Sequence, residues 1–381
     1  MAVSASESGN GGAVVRQIGP LAVTFASSDS VVVARFAELY GAFDSEASES
    51  AGDASMQGSI VVSVERSDSV EAEPEWVAEV DGTVCRRSVH LALIEEAVTR
   101  RINRLVLDAE SDRLHLHAGA VANADAVVLV VGTSGSGKST LVTRLVADGW
   151  SYLSDEQMGV VEGGRLVPYP RPMTLRRPSW PLLPSLVPEG LDEAIERYEV
   201  APSRLNTGIA RGAVVPDLVV TPDISRTDTV VEPLHAAAAL AALFQDTLDL
   251  ERAGRAGFDR LLEIATSAPM IRIAGTTLDA TVDAIVTALE QSRPAPTIVA
   301  TITPVDAAIV APTARAWQFS DGSAVVYDDR SGALAQLDGA GFAAWEVLAG
   351  QPAESLPLEA AESSFAAELR DAGLFAEAAQ R

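Results

Sequence analysis

The chain has 381 residues, enough for two or three domains, and its 48% hydrophobic content supplies a core for each. A net charge of −25 excludes a nucleic-acid-binding surface, because a phosphate backbone demands clustered Lys and Arg. A single cysteine, Cys85, excludes an internal disulfide or a cysteine-held metal cluster, and no apolar run approaches the ~20 residues of a membrane span, so the sequence reads as a soluble cytoplasmic protein with one inert thiol.

Residues 1–13, rich in Ser, Gly and Ala, read as a disordered tail. Residues 14–25 alternate as a strand, and 30–43 carry helical spacing at Val32, Phe36, Leu39 and Tyr40. The small, acidic stretch 44–57 reads as a loop. Strands are expected at 59–64 and 76–84. Residues 86–105 begin extended and become a helix whose apolar face is Leu91, Leu93, Ile94, Val98 and Ile102. Together, 14–110 make a small α+β domain with no recognisable chemistry, suited to packing or substrate shaping.

The domain at 111–292 has an α/β pattern. Residues 114–121 read as one strand carrying His115 and His117. The apolar run 126–131 is what a strand buried on both faces looks like, and it empties into Gly132, Thr133, Ser134, Gly135, Ser136, Gly137, Lys138, Ser139 and Thr140. That is the full Gly-x-x-x-x-Gly-Lys-Ser pattern of a phosphate-binding loop. Its glycines let the backbone curl so that N–H groups face phosphate oxygens, Lys138 supplies a movable positive charge, and the Ser139 hydroxyl is placed for magnesium. A helix over 138–148, ended by Gly149, turns its positive end to the anion. The strand at 150–153 delivers Ser154, Asp155 and Glu156 to the carboxyl edge of the sheet, where ligands of open α/β sheets bind. Beyond a hairpin turn at Gly163 and Gly164, 177–210 read as a substrate-facing loop with a short helix at 191–198. A strand at 217–221, helices at 235–244 and 257–268, a strand at 270–274 and a closing helix at 278–291 complete the domain.

Residues 293–302 are a linker by composition, and 303–381 change period. Strands at 315–319 and 323–327 flank Asp321 and Gly322, a hairpin signal, and a third at 333–337 follows the Ser331-Gly332 turn. Phe342, Trp345 and Leu348 sit at helical spacing, and a final helix carries Phe365, Leu369 and Leu374. The unit is winged-helix-like.

The order His117-x-Gly119-x-Val121, then the phosphate loop, then Asp155-Glu156 resembles HPr kinase/phosphorylase, a bacterial serine kinase, over residues 113–175 and on towards 292. Tyr169-Pro170-Arg171-Pro172-Met173-Thr174-Leu175 resembles the looser group related to it. Two departures stand out. The family's acidic pair is Asp-Asp, so Glu156 preserves charge and changes reach. The family's Glu-x-Arg-Gly stretch is absent, so its extra metal carboxylate and its phosphorylase activity do not carry over. The resemblance implies ATP and magnesium as cofactors. It makes Asp155 the base that takes a proton from a Ser or Thr hydroxyl, a poor nucleophile near neutral pH. It also makes His117 a group that steadies charge or shares that proton, with Ser139 and Glu156 on magnesium directly or through water and Arg171 or Arg176 against phosphate charge. His115, His90 and His235 read as structural.

In the tail, residues 326–338, 345–350 and 369–374 look like a PqqD-type domain, the peptide-recognition element of ribosomal peptide biosynthesis. That resemblance implies capture of a precursor peptide by strand addition at Leu334, Ala335, Gln336 and Leu337, with apolar side chains laid beside Phe365 and Leu369. Fused, the two resemblances imply an ATP-dependent kinase of a ribosomally made precursor peptide. A recognition scaffold that hands the peptide to a partner modifying enzyme such as an oxidoreductase is the alternative, and a kinase of a phosphocarrier protein is a third reading.

Overall fold

The computed structural model describes residues 11–43, 58–67, 74–205, 208, 212–223, 229–275, 277–291, 293–306 and 308–375, and within them the chain is a mixed α/β protein with several sheets. Residues 1–10 of the expected tail and the whole expected loop at 44–57 lie outside the described residues. Gly12 and Ala13 already belong to a strand.

In the N-terminal part, β1 (Gly12–Ile18) and β2 (Leu21–Ser27) form a hairpin where one strand was expected, because Gly19 takes a φ of 55° and reverses the chain. The helix α1 (Ser30–Leu39) starts at Asp29, whose side chain accepts the Val31 N–H. Next, β3 (Gly58–Ser67) lies parallel to β2, and β4 (Glu75–Val80) and β5 (Thr83–Ser88) form a second unforeseen hairpin about Asp81 and Gly82. The helix α2 (Leu91–Ala109) buries Ile94, Val98, Ile102 and Val106 against this five-stranded sheet.

The central part begins with β6 (Leu114–Leu116), β7 (Gly119–Ala122), β8 (Val127–Val130), α3 (Lys138–Ala147) and β9 (Ser151–Ser154). It continues with β10 (Met158–Val161), β11 (Arg165–Val167), β12 (Met173–Arg176), β13 (Arg197–Val200), β14 (Leu218–Asp223) and β15 (Val230–Leu234). The helices α4 (Ala236–Gln245) and α5 (Leu250–Ser267), the strand β16 (Met270–Ala274) and the helix α6 (Leu278–Glu290) close it. Two expectations fail here. The stretch 114–121 is two strands in different sheets, β6 beside β10 and β7 beside β8. The helix expected at 191–198 is absent, since its end is β13, paired with β12.

The principal sheet runs β15-β16-β14-β8-β7-β9. The strands β8, β14 and β16 are mutually parallel, while β7 is antiparallel to both β8 and β9. Therefore β9 points the same way as β8, and the carboxyl ends of β8, β9, β14 and β16 share one edge. Why β8 is apolar throughout follows from its two faces. Val128 and Val130 face α3 and α6, which contribute Leu141, Val142, Leu145 and Ile285, whereas Leu129 and Val131 face α4 and α5 with Leu240, Leu243 and Phe258. In β7, a Cβ on Gly119 would lie 2.5 Å from Val142 Cγ2, so only glycine lets this strand slide beneath α3.

The tail sheet is β17 (Ile298–Ile302), β18 (Ala314–Phe319), β19 (Ala324–Asp328) and β20 (Leu334–Leu337), antiparallel in that order. Since β17 takes up the second half of the expected linker 293–302, only 293–297 remain extended coil. The helices α7 (Gly339–Gly350), α8 (Leu358–Ala361) and α9 (Ser364–Asp371) follow, and α7 and α9 cover one face around Trp345. The other face does not meet solvent. Trp317, Phe319, Val325 and Tyr327 join Leu240, Leu243 and Phe258 in one core, with the Phe258 and Tyr327 rings stacked 3.9 Å apart. The tail also caps α4, since Asp321 accepts the Ala236 N–H at 2.6 Å and Ser323 the Ala237 N–H at 3.1 Å. Among the described residues, no helix is long and apolar enough to cross a membrane.

Candidate functional site

The loop between β8 and α3 is wound by three glycines in left-handed backbone, Gly132, Gly135 and Gly137, with φ of 139°, 90° and 101°. A side chain on any of them is strained, so the glycines of the motif are dictated by the turn itself. Gly137 is the N-cap of α3 and offers no capping side chain, which leaves the first N–H groups of the helix directed at the loop. Lys138 folds back: its Nζ donates to Gly132 O and lies 3.4 Å from Thr133 O. Burial lowers its pKa, against the raising charges of Asp246 and Glu156. The Ser136 hydroxyl is buried with no hydrogen-bond partner. Ser134 Oγ accepts from Arg176 at 2.9 Å, and Thr140 Oγ1 lies 2.6 Å from Ser179 Oγ. Thr143 Oγ1 donates to Ser139 O.

A cleft of about 500 Å3 opens on the β14 side of the loop, between Gly132–Ser136 residues, Thr221 and Asp223 of β14, Arg272 of β16, and Ala238, Ala242, Gln245 and Asp246 of and beyond α4. On the β9 side stands the acidic group. Asp155 is 1% exposed, its Oδ1 3.1 Å from the Tyr152 hydroxyl and its Oδ2 accepting the Thr174 N–H at 3.1 Å. Burial pushes its carboxyl up to about 6, against the lowering pull of Arg171. His117 stands between these groups. Its backbone N–H donates to Asp246 O at 2.6 Å, and burial, helped by Lys138, lowers its pKa.

Arg171, expected beside phosphate, is placed elsewhere. It is 1% exposed and enclosed by carboxylates: it donates to Glu156, and lies 3.7 Å from Asp155 and 3.6 Å from Glu199. Its other terminal nitrogen donates to Thr174 Oγ1 at 2.6 Å. Burial opposes its charge, but the three carboxylates outweigh it and hold its pKa well above the usual value. The arginine at the loop is Arg176. Glu156, expected on magnesium, is the half-exposed partner of Arg171, which keeps it ionised below the usual carboxylate range. Burial lifts Glu199 to about 8, against the lowering pull of Arg171 and the hydrogen bond from Thr174 Oγ1.

Two residues of this neighbourhood carried no signal in the sequence. Glu199 arrives on β13, inside what read as a loop, and Asp246 arrives as the C-cap of α4. Both are brought in by pairing and packing rather than by spacing from the loop. His115 is structural, as its position suggested. Its ring nitrogens lie 2.9 Å from Asp249 and 2.8 Å from Glu110, stapling β6 to the end of α2 and the start of α5. Burial lowers its pKa, but the hydrogen bonds and charges of Asp249 and Glu110 outweigh this and the net shift is upward. The stability it confers is therefore complete below pH 6.5 and lost as pH rises through the raised value. His115→Ala leaves Glu110 and Asp249 with Arg113 and Arg252 as their remaining charged partners and is expected to cost about 1–3 kcal/mol, measured by urea unfolding at pH 6, with a smaller loss at pH 9.

In the tail, β20 is an edge strand. Ala335 and Leu337 lean on the tail core and Leu334 on the central core, while Gln336 is exposed. Phe365 is half-buried, and a Cβ on Gly341 would lie 3.4 Å from both its ring and Leu337 Cβ. Leu369, expected beside the peptide, is 2% exposed and belongs to the tail core instead.

No protein-family model matches the chain, and no curated protein matches it. Among solved structures, the Hpr(Ser) kinase/phosphatase from Coxiella burnetii is similar over 46% of this chain and 93% of its own, at 12% identity and a TM-score of 0.24, a likeness too slight to carry any argument.

Proposed function

We propose that the chain is an ATP-dependent kinase that phosphorylates a Ser or Thr hydroxyl on a ribosomally made precursor peptide held at the tail. The observation that carries this reading is the shared sheet edge. A glycine-wound loop with a buried lysine ends β8, and a carboxylate of raised pKa follows β9, on either side of one site.

In this reading the triphosphate lies on the loop N–H groups and on Lys138, with the nucleoside towards the cleft of β14 and α4. The acceptor oxygen attacks the γ-phosphorus, the bond to the β–γ bridging oxygen breaks, ADP leaves, and the hydroxyl proton passes to Asp155. His117, nearly neutral because its pKa is lowered, can donate a hydrogen bond to the transferring group. Among the described residues no three His, Cys, Asp or Glu side chains are gathered to hold a metal by themselves. That suits magnesium, which keeps few protein ligands and comes in with phosphate oxygens. Ser139 and the ionised Glu156 supply oxygen donors of the right kind. When bound, magnesium neutralises charge building on the phosphates. The peptide extends the tail sheet at β20, near Phe365.

A second reading is favoured by Asp155 itself. Both its oxygens are engaged and its side chain is closed from solvent, as in a recognition scaffold that delivers the peptide to a partner enzyme and keeps its nucleotide site for regulation. Incubation with ATP, magnesium and a candidate precursor peptide, followed by mass spectrometry, separates the two. The kinase adds one phosphoryl group to the peptide. Binding with no mass change supports the scaffold instead.

A further inference from the structure

We propose that Asp246 is a positioning residue of the nucleotide site, clamping the first glycine of the phosphate loop and the backbone of His117 to one another. The proposal rests on the reading that the loop binds a nucleotide, and it assigns Asp246 no contact with the reacting atoms.

Asp246 is 6% exposed and ends α4, its N–H within reach of Ala242 O and Leu243 O. From that fixed point it reaches both halves of the site. Its carboxylate accepts the Gly132 N–H, and its carbonyl oxygen accepts the His117 N–H at 2.6 Å. The clamp continues as a short zipper: Thr247 bridges Leu116, the Leu248 N–H donates to His115 O at 2.9 Å, and Asp249 accepts the His115 N–H at 2.8 Å. The other end of α4 is held by His235, which accepts the Ala238 N–H, and by the tail residues Asp321 and Ser323. A helix fixed at both ends transmits its position to what its cap grips. The loop thus takes its register from α4 as well as from β8.

A carboxylate in the wall of a triphosphate cleft repels the ligand, so its presence there calls for a compensating role. Holding the Gly132 N–H is that role, because the side-chain oxygen is the acceptor that fixes the first residue of the loop. Asn at this position keeps an acceptor and removes the charge; Ala removes both. Comparing the two isolates the hydrogen bond from the repulsion.

The test uses the full chain and Mg–ATP in calorimetry, with NMR titration of His117 and melting curves alongside. Asp246→Asn is expected to bind Mg–ATP at least as tightly as the parent, because one repelling charge is gone. Asp246→Ala is expected to bind about 10-fold more weakly than Asp246→Asn, because the loop loses its anchor. In both, the His117 midpoint falls, since the Asp246 charge that raises it is absent. Should the Ala variant fail to fold, Asp246→Leu, which keeps the buried bulk and removes the acceptor, takes its place: Mg–ATP binding equal to that of Asp246→Asn overturns the proposal. Equal affinity of the Asn and Ala variants overturns it too, while leaving the nucleotide reading intact. A parent chain that does not bind Mg–ATP overturns both.

Discussion

Lys138→Ala is expected to lower phosphoryl transfer by about 10²–10³-fold, the loss seen when one preorganised donor is removed from developing charge. Two features of the loop set that size. Lys138 is 5% exposed and folded against its own loop, donating to Gly132 O and lying 3.4 Å from Thr133 O, so its ammonium is already ordered beside the loop. Ligand binding exchanges carbonyl partners for phosphate partners with little side-chain ordering left to do. Burial lowers its pKa, but Asp246 and Glu156 oppose that shift, and a triphosphate opposes it further. Affinity for Mg–ATP should fall together with the rate, whereas peptide binding at the tail should stay at the parental value, because β20 lies on a different sheet. Lys138→Met keeps most of the buried stem and controls for loss of packing. Transfer at the parental rate in either variant, read by peptide mass, defeats the kinase reading.

The parts of this site legible in the sequence are those set by local covalent geometry. The loop needs glycine at three left-handed positions, and β8 needs an unbroken apolar run because helices cover both faces, so both were readable without a structure. Two turns were passed over although their residues announce them. Gly19-Pro20 and Asp81-Gly82, the latter the dipeptide that signals the hairpin at Asp321-Gly322, each reverse the chain, so two hairpins read as two strands. The stretch 114–121 kept one apolar period while passing from one sheet to another at His117 and Ala118. Composition misled at β17, which follows prolines and read as linker. Arg171 shows the deepest limit. An arginine in a proline-rich run after the loop looks like a phosphate ligand, yet its neighbours in space are Glu156, Asp155 and Glu199, and only pairing of β12 with β13 reveals this. The same holds for the docking of the tail: the hairpin signal at Asp321 and Gly322 announces two strands and says nothing of Phe258 lying against Tyr327.

Asp155→Asn is expected to lower transfer by about 10²–10⁴-fold, the range of a positioned general base. Asn keeps one oxygen to accept the Thr174 N–H and turns its amide nitrogen to the Tyr152 hydroxyl, whose oxygen can accept while its proton goes to Arg171 O, so the local fold persists while the proton acceptor is gone. Its pH dependence is the sharper test. Burial holds the carboxyl at about 6, so the parental rate should climb as pH rises through 6 and flatten above it, a limb that Asp155→Asn lacks. Stability must move the opposite way. A carboxyl raised from 3.8 to about 6 by folding contributes fully below 3.8, and that contribution fades as pH rises through 6. The melting-temperature difference between parent and Asp155→Asn should therefore shrink or reverse on going from pH 4 to pH 7, over the interval in which activity appears. A residue that only braced Arg171 would show the stability change without the rate limb. The coincidence of the two, with opposite signs and one midpoint, is what a buried base requires, because the ionisation that makes Asp155 able to take a proton is the same one that its desolvated position resists.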